Sequence, residues 1–140
     1  MSTAANDLTY AGVAVGDTLP PLTQRAISRT TLALFAGASG DHNPIHIDID
    51  FAKAAGMPDV FAHGMLGMAY LGHLVTAWVP QSALREFSTR FVAITQIHAV
   101  ITCTGTVAEK HPGNLVTLEI QAADQHGEVK LAGKAVVELP

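Results

Sequence analysis

A chain of 140 residues can bury one substantial core and is short for two domains of ordinary size. Only 14% of its residues are charged and 49% are hydrophobic, against about 25% and about 45–50% in an average soluble domain; so little charge to solvate the surface points to an oligomer. The net charge of -4, with Lys and Arg scattered singly, offers no basic stripe and excludes nucleic acid as the expected partner. Cys103 stands alone, so no intrachain disulfide forms, and its strand-like surroundings mark it as a small buried hydrophobe. The first ten residues lack a basic segment followed by an apolar one, and the expected location is the cytoplasm.

Residues 1–11 are polar, small and aperiodic and are expected to fray or to lie along the surface. Val15-Gly16-Asp17-Thr18-Leu19-Pro20-Pro21 reads as a turn into a short strand over residues 22–27. Ser28 is placed to cap a helix carrying Leu32, Leu34, Phe35 and Ala36, which Gly37 and Gly40 would end. Next comes Ser39-Gly40-Asp41-His42-Asn43-Pro44-Ile45-His46, which cannot be regular helix. Pro44 has no backbone N–H and pushes Asn43 towards extended geometry, and Gly40 permits angles closed to other residues. Phe51-Ala52-Lys53-Ala54-Ala55 then makes one or two helical turns, stopped by Gly56 and Pro58.

Residues 60–79 are apolar almost all round, the mark of a helix buried on most faces. The run is also long enough to span a bilayer, but His63 and His73 interrupt it and no Lys or Arg cluster flanks it, so no membrane is expected. Gly67 and Gly72 would let a sheet approach closely. Past Pro80, residues 84–94, 97–109, 115–124 and 129–139 read as four long strands. Turns are expected at Thr95-Gln96, at His111-Pro112-Gly113-Asn114 and at Gln125-His126-Gly127. Four such strands suggest an antiparallel meander, and with one long helix they give an α+β layout whose sheet curls round that helix.

Asp41 and His46 are the sharpest chemical candidates, an acid and an imidazole five residues apart on a shaped loop. From spacing alone two readings stand: a pair aimed at one small reactant, or a turn cap beside a packed histidine. Asn43 fits both, as an Asx turn before proline or as an amide holding a carboxylate or water. His42, His46, Asp48, Asp50 and His63 raise the question of a metal. The helical zinc motif, however, needs a Glu where Asn43 stands and a helix that Pro44 breaks, so no metal is expected. Gly64, at the start of the long helix, would either bare N–H groups to a developing negative charge or merely give clearance. His63 reads equally as a satisfied core histidine.

The segment Phe35-Ala36-Gly37-Ala38-Ser39-Gly40-Asp41-His42-Asn43-Pro44-Ile45-His46, followed by Ala52, resembles the signature of the MaoC-like (R)-specific enoyl-thioester hydratases and dehydratases. Ala62-His63-Gly64-Met65-Leu66 is similar to their second motif. The likeness takes in Val15-Gly16-Asp17 and Glu86-Phe87-Ser88-Thr89-Arg90-Phe91, so that residues 1–140 form one domain; length and detail resemble the single-domain dehydratase β subunits. The resemblance implies a hot-dog fold, a long central helix wrapped by a curved antiparallel sheet. It implies Asp41 and His46 as the catalytic pair, Asn43 as support, the Gly64 N–H as oxyanion hole, and His63 and Met65 against the substrate. The reaction implied is reversible syn hydration of trans-2-enoyl thioesters to (3R)-3-hydroxyacyl thioesters. No cofactor is implied beyond the coenzyme A or acyl carrier protein that bears the substrate. The assembly implied is a homodimer, or a heterodimer with a related hot-dog subunit. Lys53, Arg85, Arg90 and Lys110 are candidates for the carrier's phosphates or ordinary solvated charges. One departure stands out: where relatives often carry a proline and a Gly-Asp turn, this chain has Ala93-Ile94-Thr95-Gln96-Ile97-His98. The rival readings are a hot-dog acyl thioesterase and a non-catalytic acyl-binding subunit.

Overall fold

The computed structural model describes residues 8–140. Strand β1 is only Leu22–Thr23, and the expected strand continues beyond it as single bonds, Gln24 N–H to Ile101 O and Ile27 N–H to Ala99 O. Ser28 caps helix α1 (Arg29–Ser39) by accepting from the Thr31 N–H at 3.1 Å. The helix runs through Gly37 and ends at Gly40, whose φ of 77° only glycine adopts freely. A 3-10 turn (Pro44–His46) follows, and then α2 (Ile49–Ala54), whose first N–H groups are capped by the Asp48 carboxylate. Helix α3 (Gly64–Trp78) begins later than its apolar run. Ala62 is held in extended geometry by its N–H bond to Thr95 O, 2.9 Å.

The remaining strands are β2 (Leu84–Phe91), β3 (Thr102–His111), β4 (Leu115–Ala123) and β5 (Val129–Glu138). They form one antiparallel five-stranded sheet in the order β1-β3-β4-β5-β2. The expected meander is therefore corrected: β2 pairs with β5 at the far edge, and Thr95-Gln96 is no hairpin turn. Residues 92–101 instead cross from one side of the sheet to the other. Val92 N–H bonds Lys130 O, Gln96 bridges to Phe61, and His98, at φ 68°, bonds Ile27 O through its N–H. The crossover buries Ala99 and Ile101, and that apolar content is what made it read as strand.

Leu71, Leu74 and Val75 of α3 pack into a core with Val107, Val116, Leu118, Leu131 and Val137 of the sheet. Helix α3 touches β2, β3, β4 and β5, so the sheet does wrap it. Burial is one-sided, however: Met65, Ala69, His73 and Thr76 are exposed. Among the described residues no helix is long and apolar enough to cross a membrane. Residues 1–7 lie outside the described residues. Residues 8–11 lie along the surface rather than fraying: Thr9 and Ala11 are exposed, while Leu8 packs on the core and Tyr10 bonds Pro140 O through its N–H and His111 O through its hydroxyl. Cys103 is fully buried, which pushes its thiol up to about 11.

Two glycines govern how closely the layers approach. A Cβ at Gly67 would lie 2.5 Å from Leu131 Cδ1, whereas at Gly133 it would lie 2.0 Å from the Ser88 carbonyl oxygen. A side-chain tip can turn aside and a backbone cannot. Gly72 is different, with only ordinary contact to Phe87 at 3.9 Å. Gly133→Ala is therefore expected to cost about 1–3 kcal/mol by forcing β2 away from β5. Gly67→Ala should cost less, since alanine also gains about 1 kcal/mol of helix propensity. Urea midpoints check this, and equal losses in the two variants would contradict it.

Candidate active site

The loop after α1 is built from its own short-range bonds. Asp41 N–H donates to Ser39 Oγ at 3.2 Å, Asn43 N–H to Asp41 Oδ1 at 3.2 Å, and Ile45 N–H to Asn43 Oδ1 at 3.1 Å. With Pro44 starting the 3-10 turn, these bonds fold the five-residue interval back on itself. His46 Nε2 then lies 3.9 Å from Asp41 Oδ2. That is too long for a direct hydrogen bond and suits one small molecule touching both. Of the two expectations for Asn43 the Asx turn before proline is the one found: its side-chain oxygen accepts from the Ile45 N–H, and its backbone N–H rather than its amide holds the Asp41 carboxylate.

His46 is buried to 9% exposure, while half of the Asp41 side chain is open. The His46 Nδ1 sits 2.7 Å from Phe61 O. A carbonyl only accepts, so Nδ1 carries a proton, and in the neutral ring it is the Nε2 lone pair that faces Asp41. Behind His46 lies His63, stacked with ring centroids 3.9 Å apart at 28°. The Nε2–H of His63 donates to the Asp41 carbonyl at 3.2 Å, and its buried Nδ1 has no partner among the described residues. Burial, with the neighbouring His46 second, lowers the His63 pKa from its ordinary 6.5, so the ring is neutral at neutral pH.

Gly64 and Met65 open α3, and among the described residues neither N–H has a backbone acceptor. Both point their donors out of the positive end of the helix. Gly64 is also constrained by contact: a Cβ would meet the Phe91 ring at 2.7 Å. Met65, half exposed, lines an apolar pocket of about 490 Å³ with Phe35, Met68, Ala69, Gly72 and Phe87, bounded by Asp41 and Ser39. Gly64 instead borders a smaller hollow of about 310 Å³ with Phe61, Phe91, Ile94 and Leu131. The start of α3 thus stands between two cavities, one of them beside the acid.

The structure brings Asp41, His46 and His63 together, with the backbone of Asn43 and Gly64 alongside. Asp41, His46 and His63 offer donor atoms within 4.8 Å of one another, the one such group among the described residues. To ligate an ion, His63 would have to release the Asp41 carbonyl or use its buried Nδ1. His42 and Asp50 are exposed and Asp48 caps α2, so they stay apart from it. The four phosphate candidates differ in their present partners. Arg85 is bound to Glu138 and Ser82 O, and Lys110 donates to Val13 O over the Tyr10 ring, whereas Lys53 and Arg90 are exposed without an ion pair among the described residues. Sequence reasoning missed Phe61, because a backbone carbonyl has no residue signature. It also missed the pocket wall at Met68, Ala69 and Gly72, although their spacing from Met65 places them along one helix face.

Comparison with known proteins bears on the same residues. The family model described as MaoC like domain matches residues 12–128. An (R)-specific enoyl-CoA hydratase of Rhodospirillum rubrum is 29% identical over 118 residues, 83% of this chain and 82% of that protein. Among solved structures, an (R)-hydratase from A. caviae, described as involved in PHA biosynthesis, superposes with a TM-score of 0.83 at 26% identity, covering 92% of this chain and 98% of that one. R-hydratase PhaJ1 from Pseudomonas aeruginosa gives 0.85 at 28%, covering 94% and 85%. The wrapped helix and its antiparallel sheet are the hot-dog fold.

The depressed His63 pKa makes a prediction for stability. Below pH 6.5 the unfolded chain takes up a proton that folded His63 refuses, so stability present above that pH is lost as pH falls towards the lowered value. A His63→Phe variant lacks this proton, and its melting temperature should therefore fall less than that of the wild type on acidification. A difference between the two that stays constant with pH would contradict the assignment.

Proposed function

Because the chain belongs to the MaoC-like domain family, we propose that it catalyses reversible syn hydration of trans-2-enoyl thioesters to (3R)-3-hydroxyacyl thioesters. The observation that carries this reading is the 3.9 Å gap between the His46 Nε2 lone pair and the Asp41 carboxylate. A water in that gap donates one hydrogen bond to Asp41, which orients it, and one to Nε2. As its oxygen attacks C3, His46 takes the proton, becomes imidazolium, and returns that proton to C2 from the same side. The hydroxyl and the hydrogen thus both come from one water and add to one face. Dehydration runs the same steps backwards.

Charge that develops on the thioester oxygen falls to the Gly64 N–H at the start of α3, where loss of one such donor is worth about 2.7–4 kcal/mol in other enzymes. Met65 and the apolar pocket beside Asp41 receive the acyl chain. The carrier is a pantetheine thioester, of coenzyme A or of an acyl carrier protein, and the step uses no metal ion. We also propose that two hot-dog subunits pair, like or related. Support comes from β2, an outer edge strand, from the exposed Met65 and Ala69 on α3, and from the exposed Phe91 that ends β2 and the exposed Val92 and Ile94 that follow it. Native mass measurement counts the copies.

Asp41→Asn and His46→Gln are each expected to cut turnover by about 10² or more with the fold intact. A chelator should leave the wild-type rate unchanged. The assay follows a short and a long enoyl thioester and separates hydrated product from free thiol. Full activity in either variant would refute the pair, and free thiol as the product would make the protein a thioesterase.

A further inference from the structure

His63 occupies the N-cap of α3, yet its side chain makes no capping bond to the helix. Ser, Thr, Asp or Asn at such a position is worth about 0.5–2 kcal/mol, so the fold forgoes stability by having histidine there. It forgoes more by burying the His63 Nδ1 to no partner among the described residues, where a phenylalanine would leave no polar atom stranded. Local rules broken without local compensation mark a position kept for function. What the side chain does instead is reach 22 residues back along the chain. Its Nε2–H holds the Asp41 carbonyl and its face backs the His46 ring, with Phe35 packed edge-on against it, centroids 4.9 Å apart.

We propose that His63 is a positioning residue, a neutral imidazole that ties the main chain of Asp41 to the ring plane of His46 and so fixes both on a single water. This replaces the substrate contact expected of it from sequence: its ring is 2% exposed and lies behind His46, outside the apolar pocket. The proposal rests on the hydration reading above.

Three variants and one spectrum test it. His63→Phe keeps the ring and removes the bond to Asp41, and is expected to lower kcat by about 10- to 100-fold, since small misplacements of reacting groups cost that much. KM should stay within about threefold, with the melting temperature at neutral pH equal to or above the wild-type value. His63→Gln restores an N–H near the Nε2 position and should recover part of the lost kcat in spite of poorer packing. His63→Ala loses both and should be the slowest per folded molecule. Ring ¹⁵N spectra of the wild type at neutral pH should show His63 as the Nε2–H tautomer. A His63→Phe enzyme with wild-type kcat would overturn the proposal and make the ring mere packing. A raised KM at unchanged kcat would make it a substrate contact, and an Nδ1–H His63 would contradict the geometry. A wild-type protein that hydrates no enoyl thioester would overturn the hydration reading and this role with it, while the spectrum would still judge the bond to Asp41 separately.

Discussion

A carbonyl oxygen has nothing to donate, and the 2.7 Å contact of Phe61 O with His46 Nδ1 therefore decides which ring nitrogen is basic. Everything chemical in the site follows from that. With the proton on Nδ1, the Nε2 lone pair faces Asp41 across a gap of one small molecule. Turn the Phe61 carbonyl away and the ring could take either tautomer and either orientation. Its position depends in turn on the crossover segment: Gln96 bridges to Phe61 and Thr95 O accepts from Ala62 N–H. Because β2 lies at the far edge of the sheet, the chain must pass the start of α3 on its way to β3, and in passing it fixes the strand that orients the base.

The same stretch also explains the balance of stability in this part of the molecule. The core of α3 and the sheet is apolar and well covered, and α1 and α2 are properly capped by Ser28 and Asp48. The start of α3 has no side-chain cap, leaves the Gly64 and Met65 N–H groups unpaired among the described residues, and buries the unpartnered His63 Nδ1. These departures cluster within a few residues, beside the exposed acid and the apolar pocket. A site that must bind a charge as it forms has to keep its donors free beforehand, and the rest of the fold carries that cost.

Much of this was legible in the sequence. The proline-bent loop, the capped α1, the apolar α3 and the β-rich second half all follow from local chemistry and periodicity, and both loop and helix start were marked by their motifs. The strand order was not. Ile97, Ala99 and Ile101 alternate as strand residues do, but they are apolar because they pack inside a crossover, and periodicity cannot tell a strand from an extended segment that pairs elsewhere. The Asx turn of Asn43 was legible, but its hold on the carboxylate was not, since that comes from its backbone N–H rather than its amide. The length of α3 was overestimated because the apolar residues before His63 are buried in extended geometry. Tertiary placement, not propensity, decides each of these.

The central claim is that His46, as base and then acid, and the orienting Asp41 carboxylate serve a single water on one side of the double bond. Hydration of a 2-enoyl thioester in D₂O, with the product analysed by NMR, tests it most directly. Deuterium at C2 on the same face as the new C3 hydroxyl, in the 3R product, is the result this geometry predicts. Deuterium on the opposite face, or divided between both faces, would contradict it.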